Sequence, residues 1–337
     1  MSCFFGKTHK QIQLNLKYME ENYFIFSEIV RCGIIGRVAY DTFHKFHPTL
    51  KLHIFGRKED FEHIIEHPNN ILHELDNYPE IIKAFDSGHV GTSMVWAKVM
   101  LEAKENYIIH FDSDVVFRGD MVQDVINYLQ EYDIVGGMRN YPNNPNNRDD
   151  VRHLPDLTQT YCFGFNKSFN YITDSSLLAR FIENSVDNNV VTKARAKYPE
   201  YGFLPTIDFF DPIAFNMMKI GASIKIIDKD VIGGTNDEGK RINKYGILNR
   251  DMDFGDKIAH FASVGSGLNF LNMMNAGKHI DVPQWYVDYA LGKLDLYMRL
   301  FYDKKILDDE KNKTFLELKD LCERRFLTSW SKAIYFL

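Results

Sequence analysis

The sequence predicts an α/β chain: a mostly parallel central sheet with helices on both faces, followed by a helical C-terminal extension. Three observations predict it. Apolar runs with strand character alternate with helical stretches from Tyr23 to Val135, the pattern of β-α-β units and hence of a parallel sheet. Strand signals resume after a polar interruption, at Thr160 to Phe165 and Ala222 to Ile227. Beyond about Val282 strands cease and amphipathic helices take over.

Taken in order, Tyr23 to Ser27 (YFIFS) is a short aromatic and apolar run and reads as a strand. Ile34 to Phe46 has helical spacing, and His47-Pro48 closes it because the residue before proline is pushed out of the helical region. Leu50 to Phe55 alternates with period two and stops at Gly56; Ile71 to Leu75 is a weaker strand. Thr92 to Ala103 is a helix for which Thr92 is the expected N-cap. Tyr107 to Phe111 (YIIHF) is a buried strand that runs straight into Asp112-Ser113-Asp114. Gly119-Asp120, a helix to about Leu129 and a strand from Asp133 to Val135 follow.

Asn140 to Asp150 (NYPNNPNNRDD) is a polar loop, read either as a lid or as a passive surface excursion. Helices are expected over Ser168 to Asn184, Asp208 to Ile220, Gln284 to Phe301 and Thr314 to Phe326.

Composition narrows the function. Of the 337 residues 45% are apolar, ample for a large core, and 40 basic against 46 acidic side chains give a net charge of −6. No basic run marks a nucleic-acid surface, so that partner is not expected. Ile258 to Gly277 is uncharged and nearly long enough to span a bilayer. It contains His260 and a GSG step, which argue against a span, and no transmembrane anchor is expected. The start MSCFFGKTHK lacks the features of a secretion signal, and Cys3, Cys32, Cys162 and Cys322 show no paired spacing. Reduced thiols and a cytoplasmic location are the expectation.

Asp112 and Asp114 stand at positions i and i+2 at a strand end, where both point the same way about 6–7 Å apart along the chain. Such carboxylates repel unless a hard divalent cation sits between them. The triplet alone also suits a solvated turn, but the apolar runs on both sides ask for a partner. Ligands of open α/β sheets sit at the carboxyl ends of strands, where this pair lies.

The run YIIHFDSDVVF resembles the DxD signature of GT-A-fold glycosyltransferases, enzymes that use nucleotide-sugar donors. The surroundings agree in order: a helix of small and apolar residues (Gly91 to Ala103) before the motif and a glycine-containing strand (Tyr161 to Asn166) after it. Asp208-Phe-Phe-Asp211-Pro-Ile-Ala-Phe-Asn216 resembles the DQDxLN element of the glycogenin-like retaining branch. His260-Phe-Ala-Ser-Val-Gly265-Ser266-Gly267 is similar to that branch's HFxGxxKPW, whose Lys-Pro-Trp ending is absent here.

The resemblance implies a GT-A-like, Rossmann-like catalytic domain over 1–281, with a nucleotide-sugar half at about 20–135 and an acceptor half at about 136–281, and a helical extension over 282–337. It implies a hexosyl- or pentosyltransferase that moves a sugar from a nucleotide-diphosphate sugar, UDP-sugar foremost, to a hydroxyl of a glycan. Mn2+ or Mg2+ would be held by Asp114, Asp112 and His260, with Asp112 and Ser113 also facing the donor. Gly265 and Ser266 would offer backbone N–H groups to the diphosphate, and Arg31 and Arg37 would meet the base and phosphates unless they are surface charges. Asp208 and Asp211 are the candidates for the carboxylate at the reacting centre; helix capping is their other reading. The C-terminal helices, ending in the apolar Trp330 to Leu337, offer a homodimer or peripheral membrane contact, or pack on the core. Two other functions fit parts of the pattern: a haloacid-dehalogenase-type phosphohydrolase with Asp112 as nucleophile, and a non-catalytic sugar-binding protein on the same scaffold.

Overall fold

The computed structural model describes residues 22–30, 33–62, 64, 66–86, 90–138, 158–167, 221–227, 234–235, 241–242, 257–261, 264–280 and 284–302. Asp208, Asp211, Arg31, the polar loop, the expected helices over 168–184, 208–220 and 314–326, and the C-terminal Trp330 to Leu337 lie outside the described residues.

A seven-stranded sheet forms the centre. Its strands are β1 (Tyr23–Glu28), β2 (Leu52–Gly56), β3 (Asn70–Glu74), β4 (Tyr107–Phe111), β6 (Ile134–Met138), β7 (Thr158–Asn166) and β8 (Ile224–Ile226), in the order β3-β2-β1-β4-β7-β6-β8. β3, β2, β1 and β4 run parallel, as β6 and β8 do, and β7 is antiparallel to both its neighbours. This is the expected mostly parallel sheet with flanking helices. Its first half has the Rossmann-like layout, in which crossovers return each strand parallel to the last.

The intervening helices follow from spacing. In α1 (Gly33–Phe46) the buried residues Ile35, Val38, Ala39 and Phe43 recur three and four apart, so one stripe faces inward. The helix stops before Pro48, with the His47 N–H closing on the Phe43 carbonyl at 2.8 Å. α2 (Lys58–Phe61) is one turn; α4 (Val90–Glu102) covers one face of the sheet, with α3 (Pro79–Asp86) packed against it, and α5 (Met121–Tyr128) covers the other. α4 begins at Val90, two residues earlier than expected, so Thr92 lies inside its first turn and is not the N-cap.

One core, on the α1 and α5 side, gathers Ile25, Tyr40, Phe43, Ile54, Ile109, Phe111, Val125 and Ile126. The opposite face is an aromatic layer: Phe26, Trp96, Phe163 and Phe165, with the His110 ring among them.

Two features were not legible in the sequence. Val115–Phe117 (β5) leaves the main sheet and pairs antiparallel with β11 (Ile258–His260); two short strands, β9 (Gly234–Thr235) and β10 (Arg241–Ile242), form a separate ribbon. β5 is tied to α1 by Thr42, whose hydroxyl donates to the Val38 carbonyl at 2.8 Å and accepts the Phe117 N–H at 3.1 Å. The uncharged stretch after His260 is a helix, α6 (Val264–Asn275), and α7 (Gln284–Tyr302) crosses it as expected for a helical C-terminal region. A second core joins α1 (Ile35, Val38) to Val116, Phe261, Leu268, Leu271, Leu291 and Tyr297. Among the described residues no helix is long and apolar enough to cross a membrane.

Gly267 sets the approach of α6 to α7: a Cβ there would lie 2.3 Å from the Ala290 carbonyl oxygen and 3.0 Å from the Leu294 Cβ. Backbone cannot step aside as a flexible side chain can. Gly267→Ala is therefore expected to destabilise the protein by about 1–3 kcal/mol, read as a lower melting temperature. An unchanged melt would show that the two helices do not pack at this point.

Candidate metal centre

Three elements converge on one point. β4 delivers Asp112, Ser113 and Asp114 at its carboxyl end. β11 delivers His260, because its antiparallel register against β5 sets His260 opposite Val115, and the Phe261 N–H closes on the Asp114 carbonyl at 3.0 Å. β1 delivers Glu28, because the parallel register pairs Phe26 with His110 and so carries the end of β1 alongside Asp112.

The resulting distances sort these groups. His260 Nε2 lies 3.2 Å from Asp114 Oδ1 and 3.5 Å from Asp112 Oδ2, and the three residues can hold one ion between them. With metal–ligand bonds of about 2.1 Å, adjacent ligand atoms stand about 3.0 Å apart in an octahedron and about 3.4 Å in a tetrahedron. The observed separations match those edges. A donor set of one imidazole nitrogen and two carboxylate oxygens suits a divalent ion of manganese type better than calcium, which takes oxygen alone. All three side chains keep some exposure, 25% for Asp112, 16% for Asp114 and 11% for His260, so a bound ion could be reached from outside.

Electrostatics agree. The Asp112 carboxyl is pushed up to about 7, chiefly by burial; the nearby histidines 110 and 260 oppose the rise, and Asp114 and Glu28 add to it. A carboxylate in that environment lacks sufficient positive charge, which a divalent ion would supply.

Glu28 and His110 escaped the sequence reading. His110 is fully buried and Glu28 is 8% exposed, with His110 Nε2 donating to Glu28 Oε2 at 2.8 Å. The available signal was a polar residue inside YIIHF and another ending YFIFSE, on strands expected to be parallel.

The other expected site residues are placed as follows. Ser113 is buried between the two aspartates. Gly265 and Ser266 are not in a loop but in the first turn of α6, and the Ser266 hydroxyl accepts from Tyr286 of α7 at 3.3 Å. Arg37 is on α1 with Nε 3.6 Å from the Asp41 carboxylate. Cys162, opposite Phe111 in the β4–β7 register, is a buried thiol whose proton affinity is pushed up by burial.

A scan against protein-family models finds no match, and a search of curated proteins finds none. Among solved structures, mouse xyloside xylosyltransferase 1 in its apo form is similar over 61% of this chain and 85% of that one, at 14% identity and a TM-score of 0.39. The glycosyltransferase GlyE of Streptococcus pneumoniae TIGR4 is similar over 61% of this chain and 45% of that one, at 12% identity and a TM-score of 0.34. 4-Diphosphocytidyl-2C-methyl-D-erythritol synthase from Anaerococcus prevotii DSM 20548 is similar over 62% and 88%, at 11% identity and a TM-score of 0.35. Likenesses this shallow add nothing to the geometry, which stands on its own residues.

Proposed function

We propose that this chain is a metal-dependent glycosyltransferase of GT-A type, moving a sugar from a nucleotide-diphosphate sugar, UDP-sugar first, to a hydroxyl acceptor such as a glycan. The observation that carries the reading is the meeting of Asp112, Asp114 and His260 at the carboxyl end of β4 with ligand-like spacing.

The chemistry fits that place. The donor's leaving group is a diphosphate, whose growing charge must be neutralised without a proton. A divalent ion held by Asp112, Asp114 and His260 would supply that Lewis acidity. The chain's own residues do the remainder. Phe261, bonded to the Asp114 carbonyl, brings the start of α6 close to the aspartates, and the first-turn N–H groups of Gly265 and Ser266 offer a helix N-terminus to phosphate oxygens. Asp208 or Asp211 would face the acceptor hydroxyl or the sugar's reacting carbon, and Arg31 and Arg37 the base and phosphates.

The phosphohydrolase alternative is not favoured, because the aspartate pair follows the fourth strand of the sheet rather than the first. Its nucleophile motif normally opens the domain.

Titration calorimetry with UDP, in manganese and then in EDTA, on wild type and Asp114→Ala tests the proposal. Micromolar binding that requires both the metal and Asp114 is expected, with a loss in the variant of about a hundredfold or more. Absence of UDP and GDP binding under both conditions would overturn it.

A further inference from the structure

The two oxygens of Asp112 face different partners. Oδ2 is the atom near His260, and Oδ1 lies 3.8 Å from His110 Nε2. That nitrogen is anchored by Glu28 at 2.8 Å, a hydrogen-bond length. Glu28, His110 and Asp112 are close enough to form an ion site of their own, but the spacing assigns the first two a different task.

Resting on the metal reading above, we propose that Glu28 and His110 are positioning residues that hold Asp112 to monodentate ligation and thereby set which ion the site accepts. His110 has little freedom to do otherwise. Its ring is packed against Phe26 at 4.8 Å, Trp96 at 4.7 Å and Phe163 at 5.7 Å between centroids, and its Nε2–H is directed to a carboxylate that accepts only. Standing 3.8 Å from Oδ1, the fixed ring would bias that oxygen toward its present place, so that Oδ2 alone would ligate an ion held with Asp114 and His260. Monodentate ligation suits the small, near-octahedral Mn2+ and Mg2+ and leaves positions open for phosphate oxygens. Calcium takes 6–8 ligands at about 2.3–2.6 Å and readily accepts both oxygens of one carboxylate. Removing the pair frees Asp112 to turn and admits calcium.

The test is manganese binding, followed through the paramagnetic resonance of free Mn2+, with calcium as competitor. It needs wild type, His110→Phe, Glu28→Gln and Asp114→Ala. Phenylalanine preserves the aromatic layer, and glutamine preserves an acceptor for His110 while removing the charge. Wild type should bind one manganese per chain. His110→Phe should shift the manganese-over-calcium preference toward calcium by about tenfold or more, with Glu28→Gln shifting it the same way by less. A merely structural role would lower the melting temperature and leave that ratio alone.

If both variants melt like wild type and their preference stays within about twofold of it, the proposal falls. Should His110→Phe fail to fold, Glu28→Gln decides alone on the same criterion. Two manganese ions per wild-type chain would also overturn it, because Glu28 and His110 would then be ligands themselves. A wild type that binds no manganese would instead remove the metal reading, and the proposal with it.

Discussion

Asp112→Asn is expected to do two opposite things: to abolish the tight binding of manganese and, in EDTA at pH 8, to raise the melting temperature. The carboxyl of Asp112 is buried beside Asp114 and Glu28, and its pKa is pushed up to about 7 from the ordinary 3.8 of an aspartate. Between those two values the folded chain keeps a proton on Asp112 that the unfolded chain has already released. The metal-free protein therefore loses stability as pH rises through this window and levels off above it. Asparagine keeps the shape and has no charge to desolvate. Because a quarter of the side chain is exposed, solvent screens part of the effect, and a gain of about 1–3 kcal/mol at pH 8 is the expectation. The gain should shrink toward zero as the pH is lowered to about 4.

Added manganese should reverse the order. Wild type gains stability by mass action, and the variant, short of a ligand, does not. Melting curves of both proteins from pH 4 to 8, with EDTA and with manganese, decide the matter. A variant that melts at or below wild type in EDTA at pH 8 would show that Asp112 is not held against its electrostatics. A site that is costly when empty and favourable when filled is what a metal centre of this kind requires.

The parts of the fold that the sequence disclosed share one property: their local signals agree with their surroundings. β1, β2 and β4 are apolar runs bounded by breakers, and α1 shows its stripe before Pro48 ends it. β11 and α6 stayed hidden for a physical reason. The stretch from Ile258 to Gly277 is uncharged throughout, and the face opposite the buried Val264, Gly267, Leu268 and Leu271 carries only Ser266, Asn269, Asn272 and Asn275, so the period is marked by weakly polar residues and no charges. Gly267 stands inside α6 because a neighbouring backbone passes beside it.

The candidate site divides along the same line. The two aspartates are local and readable, and His260 came through the resemblance of its flanking residues. Glu28 and His110 are separated by 82 positions, and only the register between β1 and β4 brings them together. No periodicity along the chain encodes that register: it is fixed by which faces of the two strands must be buried.

Trp96 is where the aromatic layer and the site share a support, and Trp96→Ala is expected to be the most damaging single core change, at about 3–5 kcal/mol. The indole is 1% exposed and is stacked on Phe163 at 4.5 Å and 25°, with Phe26 edge-on at 5.6 Å and His110 tilted at 4.7 Å. Alanine on α4 leaves a cavity walled by rings whose backbones are fixed in three paired strands, so the walls cannot close over it. That places the loss at the upper end of the range rather than the lower. In a melt this is a fall of roughly 4–7 °C. Trp96→Phe keeps a ring against Phe163 and should lose less than half as much. Chemical denaturation of wild type and both variants separates the outcomes. If alanine loses under about 1 kcal/mol, the layer repacks and the rigidity inferred for it is wrong. If it loses the full amount, manganese affinity measured well below the new midpoint should fall as well. His110 would then have lost the wall that fixes its ring, and Asp112 the neighbour proposed to orient it.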